Sequence, residues 1–231
     1  MRKNDRKNYE LREIKFTKDF TKNALGSVLA EFGDTKVITT ASVEYTKPKW
    51  MEKEDLRGWL TAEYSLLPSS TNTRCQRERT KVSGRTQEIQ RLIGRSLRAC
   101  VDLKKIPDIT ITIDADVIQA DGGTRTASIC GGFIALQIAV EKLLKQGVIK
   151  ENPIIEPIGA ISAGIINGEV MLDLDYSEDS NAQVDSNVVL TKSGRIIEFQ
   201  TTAEGEPYEQ EKLLEIFNIA KQGIENIIKM Y

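Results

Sequence analysis

The sequence predicts a mixed α/β chain of the α+β kind, made of two similar halves in each of which strands are followed by a closing helix. Three observations predict it. Between 109 and 117, Ile109, Ile111, Ile113, Ala115 and Val117 alternate with Thr110, Thr112, Asp114 and Asp116, the period of a strand with one apolar face. Directly afterwards Ile129, Phe133, Leu136, Val140 and Leu143 recur at three- and four-residue steps, the period of an amphipathic helix. Later, Asn167-Gly168 separates the runs 158–166 and 170–176, a strong hairpin signal, and a helical pattern over 208–228 ends the chain.

Taken in order, residues 1–15 are polar and basic, and Leu11, Ile14 and Phe16 open a first strand. Residues 27–43 predict a hairpin turning at Gly33-Asp34. A charged loop with Pro48 spans 46–57, and a strand returns over 59–64. Residues 65–82 have no apolar period and carry Pro68, a serine and threonine run and several arginines, which predicts a loop. A helix is expected over 84–103, capped by Ser83 or Gly84, with Ile89, Leu92, Ile93, Leu97 and Val101 on its apolar face. Arg91, Arg95 and Arg98 form the stripe beside that face. The strand and helix described above follow, the helix ending near Gly147, and Pro153 and Pro157 lie in the connection. The second half continues from its hairpin through an acidic loop over 177–186 to strands at 187–191 and 195–201, joined at Ser193-Gly194. The expected organisation is a single unit over 1–231, with halves at about 10–147 and 155–229.

At 231 residues the chain can bury a substantial core. Its formal charge of −2 conceals an asymmetry. Residues 74–105 hold ten Lys/Arg against three Asp/Glu, a local +7, and residues 151–231 hold fifteen Asp/Glu against five Lys/Arg, a local −10. A basic band beside an acidic half suits a polyanion site next to a carboxylate or metal site. Cys75, Cys100 and Cys130 form no CxxC pair, so neither zinc nor a disulfide framework is indicated. No signal peptide is apparent at the charged N-terminus and no apolar run long enough to span a bilayer, so the expected location is the cytoplasm, with no membrane partner. There is no histidine, which excludes histidine bases and histidine metal ligands.

The junction Gln119 to Ser128 joins a strand to a helix through Gly122-Gly123, with Arg125 in the first helical turn. Free N–H groups and the positive end of the helix dipole make such a turn a phosphate seat. Glycines permit close backbone approach, and the arginine adds a bidentate fork. Asp114, Asp116 and Asp121 are near this turn and are expected to be structural or supporting. No GxxxxGK[ST] follows any strand, which excludes a P-loop nucleotidase.

QADGGTRTAS at 119–128 resembles the signature of the ribonuclease PH family of phosphorolytic exoribonucleases. So do the segments GSVLAEFGDTKVITTASVE at 26–44, GWLTAEYSLLP at 58–68 and SGRTQEIQRLIGRSLRACVDL at 83–103. GEVMLDLDYSEDSNAQVDSNVV at 168–189 and TAEGEP at 202–207 extend the likeness over nearly the whole chain. The resemblance implies the ribonuclease PH fold, of the ribosomal protein S5 domain 2 type, and phosphorolytic 3′→5′ removal of nucleotides from tRNA precursors and other RNA 3′ ends. It implies inorganic phosphate as co-substrate, held by Arg85, Gly123, Thr124 and Arg125, and Asp179 and Asp185 as catalytic aspartates and Mg²⁺ ligands. Mg²⁺ needs only one or two carboxylates when phosphates and waters complete its shell. Arg74, Arg77 and Arg79 are expected to form the RNA-holding loop, in which Ser69, Asn72 and Cys75 depart from the family pattern. The resemblance further implies a homohexamer, a trimer of dimers. The competing expectation is a catalytically silent RNA-binding ring subunit of an exosome-like complex, a kind that typically lacks the arginine clamp or the aspartates.

Overall fold

β2 (Gly26–Phe32) and β3 (Thr35–Glu44) pair antiparallel around Gly33, whose φ of 56° suits the tight turn, and β1 (Ile14–Lys18) pairs antiparallel with β2. β5 (Thr110–Gln119) lies antiparallel to β3 and parallel to β4 (Trp59–Leu66), giving a five-stranded sheet of order β1-β2-β3-β5-β4. The structure, a computed structural model, describes residues 2, 5–52 and 54–231. In β5 Ile111, Ile113, Ala115 and Val117 are buried, as the alternation requires. α2 (Thr124–Lys145) packs on β5 and α1 (Gly84–Arg98) packs on β4, in a core that includes Phe32, Leu97 and Phe133.

The second sheet has order β7-β6-β8-β9, from β6 (Ile158–Ile166), β7 (Glu169–Leu172), β8 (Val184–Thr191) and β9 (Ile196–Ala203). α4 (Gln210–Ile228) covers it, and α2 packs against both sheets. Every residue of β6 is buried, because α2 and α4 both pack on it. One apolar core therefore runs from Phe32 and Ile113 through Phe133 to Ile161 and Ile224. The last residue, Tyr231, returns to this junction and packs its ring on Phe16 and Phe133, with centroids 5.6 and 5.5 Å apart.

Several boundaries differ from the sequence-based expectation. α1 is capped by Ser83, whose hydroxyl accepts from the Thr86 N–H at 3.2 Å, and it ends at Arg98, not near 103. There the chain leaves the helix to bridge Val101 to Ile154, and Asp102 caps a separate 3-10 turn, 103–105. β7 stops at Leu172, short of 176, because Asp173 turns into the left-handed region at φ 54°. The acidic loop expected over 177–186 is instead one helical turn, α3 (Tyr176–Asp179), a short link and the start of β8. β8 begins before 187 because Ser186 and Asn187 are buried strand residues, Ser186 donating its hydroxyl to Thr201 Oγ1 at 2.8 Å. By length and composition α2 is apolar enough to cross a bilayer, contrary to expectation. Its apolar surface is buried between the two sheets.

Candidate active site

The turn between β5 and α2 is built from two consecutive left-handed glycines, Gly122 at φ 77° and Gly123 at φ 67°. A Cβ on Gly122 would meet the Leu174 carbonyl oxygen and lie 2.9 Å from the Tyr176 nitrogen, so the turn is packed directly against the segment leading into α3. Gly123 caps α2 without a side chain, which leaves the amides of the first turn to an external acceptor. Thr124 opens that turn, and its hydroxyl is 3.0 Å from the hydroxyl of buried Tyr64 on β4.

Arg125, mostly buried, donates Nη2–H to Glu88 Oε2 at 3.1 Å. Its Nε is buried and has no hydrogen-bond partner among the described residues, so the guanidinium keeps donor capacity for a ligand. Glu88 stands three residues after Arg85 on α1, hence on the same side of the helix, so holding Glu88 brings Arg85 to Arg125. Both arginines act electrostatically on Asp179 and on Tyr64.

Asp179 closes α3. Asp175 caps this turn, accepting from the Glu178 N–H at 3.0 Å, while Glu178 accepts from the Asp175 N–H at 3.0 Å, a reciprocal capping box. Asp185 lies on β8 opposite Gly164 and Thr202, so a strand and a helical turn, not one loop, present the two carboxylates. Burial pushes the Asp185 carboxyl up to about 6, with Asp179 and Glu204 adding to the rise and Arg125 opposing it. Burial likewise raises Asp179, against Arg125, Arg85 and Arg12. Two partly buried carboxylates offer oxygen donors to a divalent cation whose shell phosphate and water complete, and among the described residues no group of three or more His, Cys, Asp or Glu side chains is arranged to hold a metal by itself.

Arg85, Gly123, Thr124, Arg125, Asp179 and Asp185 are thus brought into one neighbourhood, contributed by α1, the turn between β5 and α2, α2, α3 and β8. Arg74, Arg77 and Arg79 are exposed on the loop between β4 and α1. That loop doubles back, with Cys75 donating its main-chain N–H to the Pro68 oxygen at 3.0 Å and Glu78 accepting from the Thr86 hydroxyl at 3.1 Å. Asp114 and Asp116 stand on β5 with burial as the first cause of their raised carboxyls. Asp121 accepts at its carboxylate from the Tyr176 N–H at 3.4 Å, a supporting contact. Glu204, just after β9, is a third carboxylate that acts on both aspartates. The TAEGEP run marked its segment without marking its place. Arg2, Arg6 and Arg12 were likewise unmarked beyond the basic character of the N-terminal segment.

Residues 10–140 match domain 1 of the 3′ exoribonuclease family, RNase PH, and residues 156–223 match its domain 2. The chain belongs to this family. The fold of this exoribonuclease-family chain is shared with solved structures at low sequence identity. Rice (Oryza sativa) Rrp46 is similar with a TM-score of 0.79 and 19% identity, over 98% of this chain and 96% of that one. A chain of the Archaeoglobus fulgidus exosome with RNA bound to the active site is similar with a TM-score of 0.81 and 19% identity, over 97% and 90%.

Proposed function

We propose that this family member is a phosphorolytic 3′→5′ exoribonuclease, removing terminal nucleotides from tRNA precursors and other RNA 3′ ends with inorganic phosphate and releasing nucleoside 5′-diphosphates. The observation that supports this reading is the packing of the Gly122 turn, which leads into Arg125, against the main chain of 174–176, which leads into Asp179, with Arg125 paired to Glu88 one helical turn from Arg85. A phosphate ester loses its second proton near pH ~6, and inorganic phosphate, whose first proton is lost far below that, is likewise anionic at neutral pH, so the nucleophile arrives charged. A chain without histidine therefore has no need of a strong base. Its task is to bring two anions together and cancel their charge.

Arg85, Arg125 and the open amides at Gly123 and Thr124 hold the attacking phosphate. A phosphate oxygen forms a bond to the terminal RNA phosphorus, the P–O3′ bond breaks, and the departing 3′ oxygen takes up a proton. Asp179 and Asp185 would hold Mg²⁺, which when bound supplies positive charge to the scissile phosphate. Arg74, Arg77 and Arg79 hold the RNA backbone upstream, without reading bases. The reaction is reversible, since the bond formed is a phosphoanhydride of similar energy to the diester. The family resemblance supports a homohexamer, a trimer of dimers.

A second reading is a silent RNA-binding ring subunit of an exosome-like complex, favoured by the likeness to Rrp46 and to an exosome chain. That reading retains RNA binding and removes turnover. The discriminating experiment incubates purified protein with RNA and Mg²⁺, with and without phosphate. Nucleotide release only with phosphate supports the enzyme; RNA binding without release under both conditions supports the silent subunit.

A further inference from the structure

Asp173 is fully buried, and its left-handed backbone ends β7 just before α3. Its carboxylate receives the Arg12 main-chain N–H at 2.7 Å on Oδ2 and the Arg12 Nη2–H at 2.7 Å on Oδ1. The same guanidinium donates through Nη1 to the Asp121 carbonyl at 2.6 Å and through Nη2 to the Gly122 carbonyl at 3.4 Å. One buried side chain, 8% exposed, is thus bonded both to the glycine turn that leads into Arg125 and to the segment that leads into Asp179. Arg2 and Arg6 hold the far side of that segment. Arg2 donates to both Glu178 carboxylate oxygens, at 2.7 and 2.8 Å, and Arg6 donates to the Asp173 carbonyl at 2.7 Å and to Glu178 at 3.0 Å.

This arrangement is an expensive way to join two turns. Burial opposes the Arg12 charge, and Asp173, Asp121 and Asp175 more than offset it, holding the guanidinium above the ordinary arginine value. Buried ion pairs often contribute less stability than apolar packing of the same volume. Arg12 Nε is, in addition, buried with no hydrogen-bond partner among the described residues. What the guanidinium supplies instead is geometry, because its planar fork fixes the directions of several donors at once, which an ammonium cannot do.

We infer that Arg12 is a positioning residue, whose guanidinium, anchored on Asp173, sets the separation between the anion seat at Gly123–Arg125 and the carboxylates at Asp179 and Asp185. The inference rests on the phosphorolytic reading for its kinetic consequence, not for its structural one. Arg12→Lys keeps the charge and loses the fork; Asp173→Asn keeps the shape and an acceptor for the Arg12 main-chain N–H. Ile216→Val, at a buried apolar position of α4, serves as a packing control.

Two readouts are needed. Amide hydrogen exchange in the Arg12→Lys protein is expected to accelerate together over 121–126 and 173–179, with the control unchanged there. Turnover is expected to fall at least tenfold and the apparent KM for phosphate to rise, while RNA affinity stays within twofold. Acceleration in only one of the two segments, or in neither, overturns the inference, as does coupled acceleration with wild-type turnover and phosphate KM. If Arg12→Lys does not fold, the same two readouts are taken on Asp173→Asn with the same criteria. If the wild-type protein shows no phosphate-dependent turnover, the phosphorolytic reading fails and hydrogen exchange alone decides whether Arg12 couples the two turns.

Discussion

Tyr64 on β4 and Thr124 at the start of α2 share a hydrogen bond between their hydroxyls, 3.0 Å apart. Burial raises the Tyr64 phenol above its ordinary value, so it remains a neutral hydroxyl at working pH. The bond ties the anion seat to the first sheet and fixes the orientation of the Thr124 hydroxyl. Tyr64→Phe removes one such bond, worth about 1 kcal/mol. The expected outcome is roughly a fivefold weaker apparent phosphate affinity with unchanged RNA affinity, read from a phosphate titration at saturating RNA.

The arginines divide into two sets with separable effects. Arg85→Ala and Arg125→Ala each remove charge-assisted bonds worth ~1.5–3 kcal/mol, and are expected to weaken phosphate binding and slow turnover by ten- to hundredfold. Arg74→Ala and Arg77→Ala are expected to weaken RNA binding and reduce its salt slope by about one counterion each, leaving the phosphate curve in place. Paired titrations on the four variants check this. An Arg74→Ala phosphate curve displaced as far as that of Arg85→Ala contradicts the division.

The parts of this site that were legible in the sequence are those where a local pattern changes. At 117–124 a period of two gives way to a period of three to four across two glycines, and a strand, turn and helix start stand there. Asp185 falls in a stretch that reads as a loop, because β8 is buried on both faces and carries Ser186 and Asn187 and so shows no alternation. α3 is four residues long, too short for any periodicity to register. Arg12 had no local signal at all, since its partner Asp173 is 161 residues away. Long-range pairing of charged groups leaves no trace in a window of one helix or strand.

Asp185 is held at a cost to stability. Its carboxyl is raised from 3.8 to about 6 in the folded chain, first by burial. A raised carboxyl favours folding below its unfolded value, and that contribution is lost as pH rises through the folded value. The full shift corresponds to about 3 kcal/mol, an upper bound because the group is partly solvated. Asp185→Asn is therefore expected to melt higher than wild type above about pH 6 in chelator-treated buffer, with the difference shrinking toward pH 4. Equal melting temperatures at pH 8 contradict this. The same substitution is expected to abolish turnover and leave RNA binding nearly intact.

Gly122 and Gly168 have the same backbone conformation, at φ 77° and 79°, in different surroundings. A Cβ at Gly168 meets nothing within 4 Å, and one at Gly122 strikes the main chain of Leu174, Asp175 and Tyr176. Gly168→Ala is expected to cost only the left-handed strain of about 1–2 kcal/mol. Gly122→Ala is expected to cost clearly more and to impair activity even where it folds, which denaturant unfolding of the two variants compares directly. Equal losses mean that the glycine turn is not packed against the α3 segment as described.

The central claim is that phosphate itself attacks the RNA. The direct measurement supplies ³²P-labelled inorganic phosphate with unlabelled RNA and Mg²⁺ and locates the label in the products. The account predicts nucleoside 5′-diphosphates labelled only at the β position, and none from the Asp179→Asn or Asp185→Asn proteins. Unlabelled nucleoside monophosphates, or RNA that is bound and never shortened, contradict it.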